Sequence, residues 1–286
     1  LLLVGRALAG MSGATYVTAT AYIADVSKQE ERAANFGLIG AAFGIGFVLG
    51  PVIGGLAATI HVTAPFWIAA ALSLANALFG LFVLPESLKP ENRRPFARAD
   101  FNPFKAILSA FRVPQLALPL VLLFVFEFAN MVYPTIWAFW LKALFDWSPA
   151  AIGGSLAAYG VGVAITQGVV IGPMIRWLGE GGTLTFALVC GLVAMLGLGV
   201  AGAVWAVFVF TVFACLSDMA PAMMTAMTAN RVGEDRQGLV QGVIASQSAV
   251  AAILAPLAVT AVFRTFADDQ GLYLPGAPFL VSAVLI

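Results

Sequence analysis

Apolar runs that are free of charge and long enough to cross a lipid bilayer recur along the whole chain. They occupy residues 37–59, 62–84, 147–175 and 237–263, and another covers 115–141 with Glu127 inside it. A spanning helix needs about 20 mostly apolar residues. The run 183–217 is too long for one crossing, so we expect it to turn back near 202–205 and continue to about 228. With the first and last runs, the pattern predicts about nine transmembrane helices.

Composition supports this all-α, polytopic membrane fold and argues against several function classes. Hydrophobic residues make up 61% of the chain and charged residues only 10%, whereas soluble domains carry about 25% charged residues. This apolar composition predicts a lipid bilayer as a partner. The net charge is zero, so we expect no nucleic acid among the partners. The two cysteines lie in apolar runs, which predicts neither a disulfide framework nor a metal site. His61 is the only histidine and no hydrolase motif is present, so we expect no enzyme activity.

Lysines and arginines are concentrated in every second connection between the apolar runs, as is usual for connections that face the cytoplasm. The opposite connections hold only Lys142 and Arg264. This asymmetry predicts a multi-pass protein of the cell membrane. Its cytoplasmic loops would be residues 25–36, 85–114, 172–183 and 229–238.

The longest polar stretch, residues 85–114, predicts a cytoplasmic linker between two helical bundles. The first bundle would be residues 1–84 with three spans, and the second would be residues 115–286 with six spans, the last one truncated. A decorated loop inside a single bundle is the alternative. Because both ends of the sequence are apolar, we expect it to begin and end inside the membrane.

Glycines at 46, 50 and 54 share one face of the second run, with Pro51 and Gly55 beside them. Such a face lets another helix approach closely, and ordinary close packing is the simpler interpretation. This stretch resembles the proline-glycine signature of antiporters in the major facilitator superfamily. The first run, with Gly5-Arg6, Gly10-Met-Ser-Gly13 and Ala24-Asp25, followed by Glu31-Arg32, resembles the fourth span of the drug/proton antiporters, especially the tetracycline-resistance exporters.

The resemblance covers nearly the whole chain and implies an incomplete major facilitator fold containing the family's spans four to twelve. It also implies a secondary transporter that exports small amphipathic molecules or drugs by alternating access. The proton gradient would be the energy source, with no cofactor, and we expect a monomer. Val163 stands where the tetracycline exporters have a histidine, and the region near Gly191 lacks their aspartate. These departures argue against tetracycline itself as the cargo.

Three ionisable residues lie inside predicted spans: Arg6, Glu127 and Asp218. A charge at the bilayer centre costs at least ~2.5 kcal/mol, so such residues usually face a cavity or a partner. We predict that Glu127 is the principal proton site and that Asp218 is a second acid or a cation-recognition group. Alternatively, hydrogen bonds between helices hold either carboxyl, or Asp218 pairs with a charge elsewhere. Arg6 matches the family's fourth-span arginine, which implies a part in proton exchange, although it could also snorkel to the interface.

The candidate substrate contacts are polar or aromatic residues near these acids: Asn130, Tyr133, Trp137, Tyr159 and Gln167. Asn130 and Trp137 share a helix face with Glu127, and Tyr159 shares one with Gln167. Small-molecule sites usually combine an apolar pocket with a few such anchors. A same-fold importer of a sugar or organic acid is the nearest alternative function. An intramembrane enzyme or a channel has less support, because catalytic motifs and a selectivity filter are missing from the sequence.

Overall fold

The computed structural model describes residues 2–11, 18–19, 22–23, 26, 32–86, 114–229, 231, 237–267 and 273–286. Within these ranges the chain is helical and contains no β-strand, which confirms the all-α fold class. Helical segments occur at each of the predicted crossings. Asp25 and most of the predicted linker lie outside the described residues.

The helices follow in chain order with these bounds: α1 Leu2–Met11, α2 Arg32–Ile60, α3 Ala64–Val83, α4 Pro114–Asn130, α5 Val132–Phe145, α6 Pro149–Ile165, α7 Ile171–Gly199, α8 Val204–Ser217, α9 Met219–Ala229, α10 Gln237–Phe266 and α11 Ala277–Ala283. A π-helical turn, Thr166–Val170, joins α6 to α7. Five stretches of the described residues are long and apolar enough to span a membrane. One of them, Pro149–Gly199, is two crossings, because Gly179 has a non-helical backbone (φ 69°) and divides it. The segment predicted as a loop at 172–183 is therefore helical on both sides of Gly179.

The chain divides into two compact units, Leu1–Phe96 and Ala97–Ile286. In the first unit, α2 packs against α3 across a short turn, where His61 Nδ1 lies 2.8 Å from Thr63 Oγ1. None of the side chains of α3 is buried, as is usual for a helix that faces lipid. No described atom lies within 4 Å of a Cβ built at Gly46, Gly50 or Gly54. The close helix contact predicted for this glycine face is therefore not made by α3.

The second unit is organised around an aromatic core in which α5 meets α11. Trp140 and Phe279 are both fully buried, and their ring centroids lie 5.2 Å apart in an edge-on arrangement. Trp137 lies 5.5 Å from Trp140 between ring centroids. Edge-on aromatic pairs add about 0.5–1.5 kcal/mol to the packing of the rings. This core fixes the position of α5 and therefore of the interruption at Met131, which directly precedes α5.

Prolines explain two helix breaks that hydropathy alone does not predict. Met131 separates α4 from α5 three residues before Pro134, and Asp218 separates α8 from α9 three residues before Pro221. Proline has no N–H and cannot bond to the carbonyl four residues earlier, so each helix loses one backbone hydrogen bond there, while Met131 and Asp218 keep right-handed helical dihedral angles. Both predicted acidic positions therefore lie at or within one turn of a break. Pro173 likewise follows the π-helical turn, in which the Ile171 N–H reaches the Thr166 carbonyl.

Candidate functional site

Asp218 lies at the break between α8 and α9 and is half-buried inside the second unit. The hydroxyl of Tyr159 on α6 donates to Asp218 Oδ2 at 2.5 Å. The thiol of Cys215, one turn before Asp218, donates to the Tyr159 carbonyl at 3.6 Å. A carboxylate and a hydroxyl thus join α6 to the broken helix in a region where water is scarce.

Tyr133 on α5 lies within electrostatic range of both Asp218 and Tyr159. Its hydroxyl is fully buried and has no hydrogen-bond partner in the part of the chain that the structure describes. An unsatisfied buried polar group costs about 1–3 kcal/mol. The Tyr133 hydroxyl is therefore a buried polar group with free hydrogen-bonding capacity among the described residues.

Glu127 lies on α4, and its carboxylate contacts α10. The Ser248 hydroxyl donates to Glu127 Oε2 at 2.6 Å and also lies 3.0 Å from the Ile244 carbonyl. A serine has one hydroxyl hydrogen, so it donates to only one of these acceptors at a time. The bond to Glu127 can accordingly be released without leaving the serine unpaired.

The neighbouring residue, Gln247, ties the same two helices further along. Its Nε2 donates to the Leu120 carbonyl at 3.3 Å, and its buried Oε1 has no partner among the described residues. Ser248 and Gln247 were not predicted from the sequence. The signal that could have found them is the polar triplet Ser246-Gln247-Ser248 within an otherwise apolar run.

Neither carboxyl has a basic partner among the described residues. The ion pair found there joins Lys142 to Asp146, at the end of α5 and outside the spans. That contact lowers the pKa of Asp146 through the hydrogen bond from the lysine and through its charge. Glu127 and Asp218 instead rely on hydroxyl donors from neighbouring helices. Both acids therefore make hydrogen bonds between helices, as the alternative to a transport role predicts.

The structure brings some of the predicted substrate residues to the acids and uses others elsewhere. Trp137 is buried and donates from Nε1 to Ser155 Oγ at 3.0 Å, which joins α5 to α6. Asn130 donates to the Phe126 carbonyl one turn earlier, at 3.0 Å. The polar groups of both side chains are thus already used within the bundle.

Gln167 was expected to share a helix face with Tyr159. It instead falls in the π-helical turn Thr166–Val170, and its side chain is exposed. A π-helical turn contains more residues than an α-helical one and shifts the register of side chains that follow. Arg6 and Arg32 belong to α1 and α2, but their side chains are outside the described part of the chain.

A groove of about 450 Å³ runs between α6 and α8, and neither Tyr159 nor Asp218 is among the residues that line it. Ser155 and Gly162 line it from α6, and Thr211 and Cys215 line it from α8. A Cβ on Gly162 would collide with the Cys215 sulfur, so the two helices are in close contact there. Cys215 therefore belongs both to the wall of the groove and to the contact between α6 and α8.

Comparison with known proteins identifies the family. A sequence model of the Major Facilitator Superfamily matches residues 1–256. The tetracycline resistance protein of class C from Escherichia coli is 34% identical over 285 residues, which cover 100% of this chain and 71% of that protein. Multidrug resistance protein 2 of Bacillus subtilis is 28% identical over 255 residues, covering 88% of this chain and 63% of that protein.

A solved structure shows the same fold. The crystal structure of the human organic anion transporter MFSD10 matches with a TM-score of 0.64 at 23% identity, over 99% of this chain and 70% of that one. The resemblance drawn from the glycine and proline motifs is confirmed by the sequence matches. The chain therefore belongs to the major facilitator superfamily, and it is a multi-pass transporter of the cell membrane rather than an enzyme.

Proposed function

We propose that the protein exports small amphipathic molecules in exchange for protons. The observation that carries this proposal is the pair of carboxyls inside the second unit, each held by a hydroxyl from another helix and neither paired with a base in the described residues. The relatives named for resistance to tetracycline and to multiple drugs support export of drug-like cargo. The cargo and protons would be the ligands, and the monomer would be the working unit.

Coupling between proton movement and cargo movement would follow from the lack of basic residues beside the two carboxyls in the described ranges. A carboxylate inside a membrane protein needs a proton, a base or a polar partner, because an isolated charge costs at least ~2.5 kcal/mol at the bilayer centre. A proton would meet that need at Glu127 or at Asp218, and a positively charged or hydrogen-bond-donating cargo would meet it at Asp218. If one carboxyl cannot hold both at once, proton entry releases cargo and cargo entry releases the proton.

Both acids lie at or within one turn of a helix interruption. Asp218 lies at one break, and Glu127 accepts a backbone hydrogen bond of 3.1 Å from Met131, the residue at the other break. Discontinuous helices commonly form the substrate and ion sites of secondary transporters. In the proposed cycle, the two bundles, residues 1–84 and 115–286, alternate between inward- and outward-open arrangements around the linker 85–114.

Accumulation of a fluorescent amphipathic dye, such as ethidium, in cells expressing the protein tests this function. We expect lower accumulation than in control cells, and we expect a protonophore to abolish the difference. Glu127→Gln should remove export without loss of protein from the membrane, because glutamine keeps the shape of the carboxyl but cannot release a proton.

The exposed acid Glu180 provides the matched control, and Glu180→Gln should export as the unmodified protein does. Export by the Glu127→Gln variant at the full rate would refute the role assigned to Glu127. Export that persists after the proton gradient has collapsed would refute proton coupling altogether.

A further inference from the structure

We propose that Gln247 holds the protonated form of Glu127 by accepting a hydrogen bond from its carboxyl group. This inference rests on the proposed function, in which Glu127 is the principal proton site, and it adds the residue that stabilises the bound proton. It depends on a buried acceptor that has no partner, on the neighbouring donor Ser248 and on the way α10 packs against α4.

The side chain of Gln247 is only 5% exposed and lies in the contact between α10 and α4. Its Nε2 donates to the Leu120 carbonyl at 3.3 Å, and since only an N–H can face a carbonyl, this bond fixes the orientation of the amide. The other amide atom, Oε1, is fully buried and accepts no hydrogen bond among the described residues. Buried acceptors in native proteins are nearly always bonded, so this oxygen is free for a donor that is absent from the present state.

The surroundings of the Gln247 amide favour a donor from the protein. The cytoplasmic half of the contact between α4 and α10 is a buried apolar cluster, in which every member is at most 9% exposed: Leu116, Leu120, Leu123, Val240, Val243 and Ile244. An ordered water needs about two to four polar partners, which such a cluster does not offer.

Glu127 lies on the same face of α4 as Leu120. The two residues are seven positions apart, which is nearly two turns, so their backbones are separated by about 10 Å along the helix axis. The Leu120 carbonyl points along the helix toward Glu127, and the Glu127 side chain leans back toward Leu120. The residues of α10 that bond to these two groups, Gln247 and Ser248, are consecutive. The two polar contacts are therefore neighbours.

The ionised and protonated forms of Glu127 differ in the hydrogen bonds that they can make. The carboxylate only accepts, and Ser248 donates to its Oε2 at 2.6 Å. Ser248 has a single hydroxyl hydrogen, so it cannot donate to Gln247 at the same time. A proton that binds to Oε1 of Glu127 turns the carboxyl into a donor, and the buried acceptor left free beside Ser248 is Oε1 of Gln247. Ser248 keeps its bond to Oε2, so proton binding adds one hydrogen bond and breaks none.

Other charged or titratable groups on the helices packed against α4 do not take this role. The side-chain hydrogen bond that Glu127 makes within the described ranges is with Ser248, and no basic residue there pairs with it. The groups on or next to those helices are Tyr133 and Lys142 on α5, Asp218 and Arg231 at the two ends of α9, and Arg264 in the last turn of α10.

A pH titration of the Glu127 carboxyl by infrared difference spectroscopy, on the protein in lipid nanodiscs, tests the proposal with the proton as the only ligand. The band of Glu127 is the one that disappears in Glu127→Gln. We expect Gln247→Met, which fills the same space without an amide, to move the midpoint of this band to lower pH by about one unit, a tenfold loss of proton affinity.

Ser246→Ala is the matched control, because Ser246 is an exposed residue of α10 that donates to the Gly242 carbonyl at 2.8 Å. This variant should leave the midpoint unchanged. If Gln247→Met does not fold, Gln247→Asn keeps an amide but is one methylene shorter, and it should move the midpoint in the same direction by a smaller amount.

Ser248→Ala separates the proposed role from a general loosening of the helix contact. The serine hydroxyl donates to the carboxylate and so favours the ionised form, and its removal should move the midpoint to higher pH. A loosening that admits water would favour the ionised form in both variants and would move both midpoints to lower pH.

A midpoint that is unchanged in folded Gln247→Met, or in Gln247→Asn where the first variant does not fold, would overturn the proposal. A downward shift in Ser248→Ala equal to that in the glutamine variant would also overturn it. Opposite shifts in a protein that moves no cargo would support the proton-holding role and refute the proposed function. Proton-coupled export with a Glu127 midpoint indifferent to residue 247 would do the reverse.

Discussion

The bond between Tyr159 and Asp218 can be measured with a double-mutant cycle. Tyr159→Phe removes the donor, and Asp218→Leu removes the acceptor together with its charge. Hydrogen bonds to charged groups contribute about 1.5–3 kcal/mol in proteins, whereas polar pairs between membrane helices average about 0.6 kcal/mol and reach about 1.7 kcal/mol. The acceptor is a carboxylate, so we expect a coupling free energy near the upper membrane value, about 1.5 kcal/mol.

The assay is reversible unfolding in mixed micelles of increasing dodecyl sulfate content. Tyr159→Phe should lower the free energy of unfolding by about 1.5 kcal/mol, because it removes a donor from a carboxylate inside the bundle. Asp218→Leu alone should change the free energy of unfolding little, since it removes a charge that has no basic partner in the described residues but also removes an acceptor of the Tyr159 hydroxyl. In the double variant, the cost of losing the tyrosine hydroxyl should largely disappear.

Tyr273 provides the matched control. Its hydroxyl donates to the neutral Ala143 carbonyl at 3.0 Å, and the side chain is 46% exposed. Tyr273→Phe should therefore lower the free energy of unfolding by less than about 1 kcal/mol and should show no coupling to Asp218→Leu. A coupling free energy below about 0.3 kcal/mol for the Tyr159–Asp218 pair would refute the bond and the description of the site built on it.

Three further predictions concern other parts of the fold. A Cβ on Gly276 would lie 2.7 Å from the carbonyl carbon of Gly199, so Gly276→Ala should lower the free energy of unfolding by about 1–3 kcal/mol in the same assay. Pro221→Ala regains a backbone N–H for the carbonyl four residues earlier, so hydrogen exchange should show a newly protected amide at that position. The pKa of Asp146 is lowered by its contact with Lys142, so the stability due to this pair should be present above about pH 4 and lost as the pH falls further, and Asp146→Asn should remove that pH dependence.

Each of these predictions has a distinct control. Gly154→Ala, where a Cβ meets open space, should leave the free energy of unfolding nearly unchanged. A Pro221→Ala variant with the exchange pattern of the unmodified protein would show that the break has another cause. If unfolding responds equally to acid with aspartate and asparagine at position 146, the ion pair contributes nothing.

Much of the fold was predictable because hydropathy depends only on how apolar a stretch is. The runs at 62–84 and 237–263 correspond to α3 and α10, and the predicted turn near 202–205 falls at the start of α8, Val204. Hydropathy averages over a window, so it does not detect the breaks at Met131 and Asp218 or the π-helical turn. Each interruption lies three residues before a proline that lacks one hydrogen bond, whereas Pro119 and Pro256 lie inside helices that continue past them, so the presence of a proline alone does not predict one.

The acids of the site were predictable but their partners were not. Glu127 and Asp218 stand out in the sequence because charge is costly in lipid. Ser248 was not predicted and Tyr159 was predicted only as a substrate contact, because only the packing of α10 on α4 and of α6 on α8 brings these residues to the carboxyls. Trp137 was singled out as a substrate contact from its spacing, whereas burial and the bond to Ser155 place it in the packing of the bundle.

Proton movement that accompanies cargo movement tests the central claim most directly. In inside-out membrane vesicles with a preformed pH gradient, addition of an exported amphipathic amine should partly dissipate the gradient when the unmodified protein is present. Glu127→Gln should prevent this proton flux while the exposed-site variant Glu180→Gln retains it. Cargo uptake by the same vesicles with no accompanying change in the gradient would contradict proton-coupled exchange.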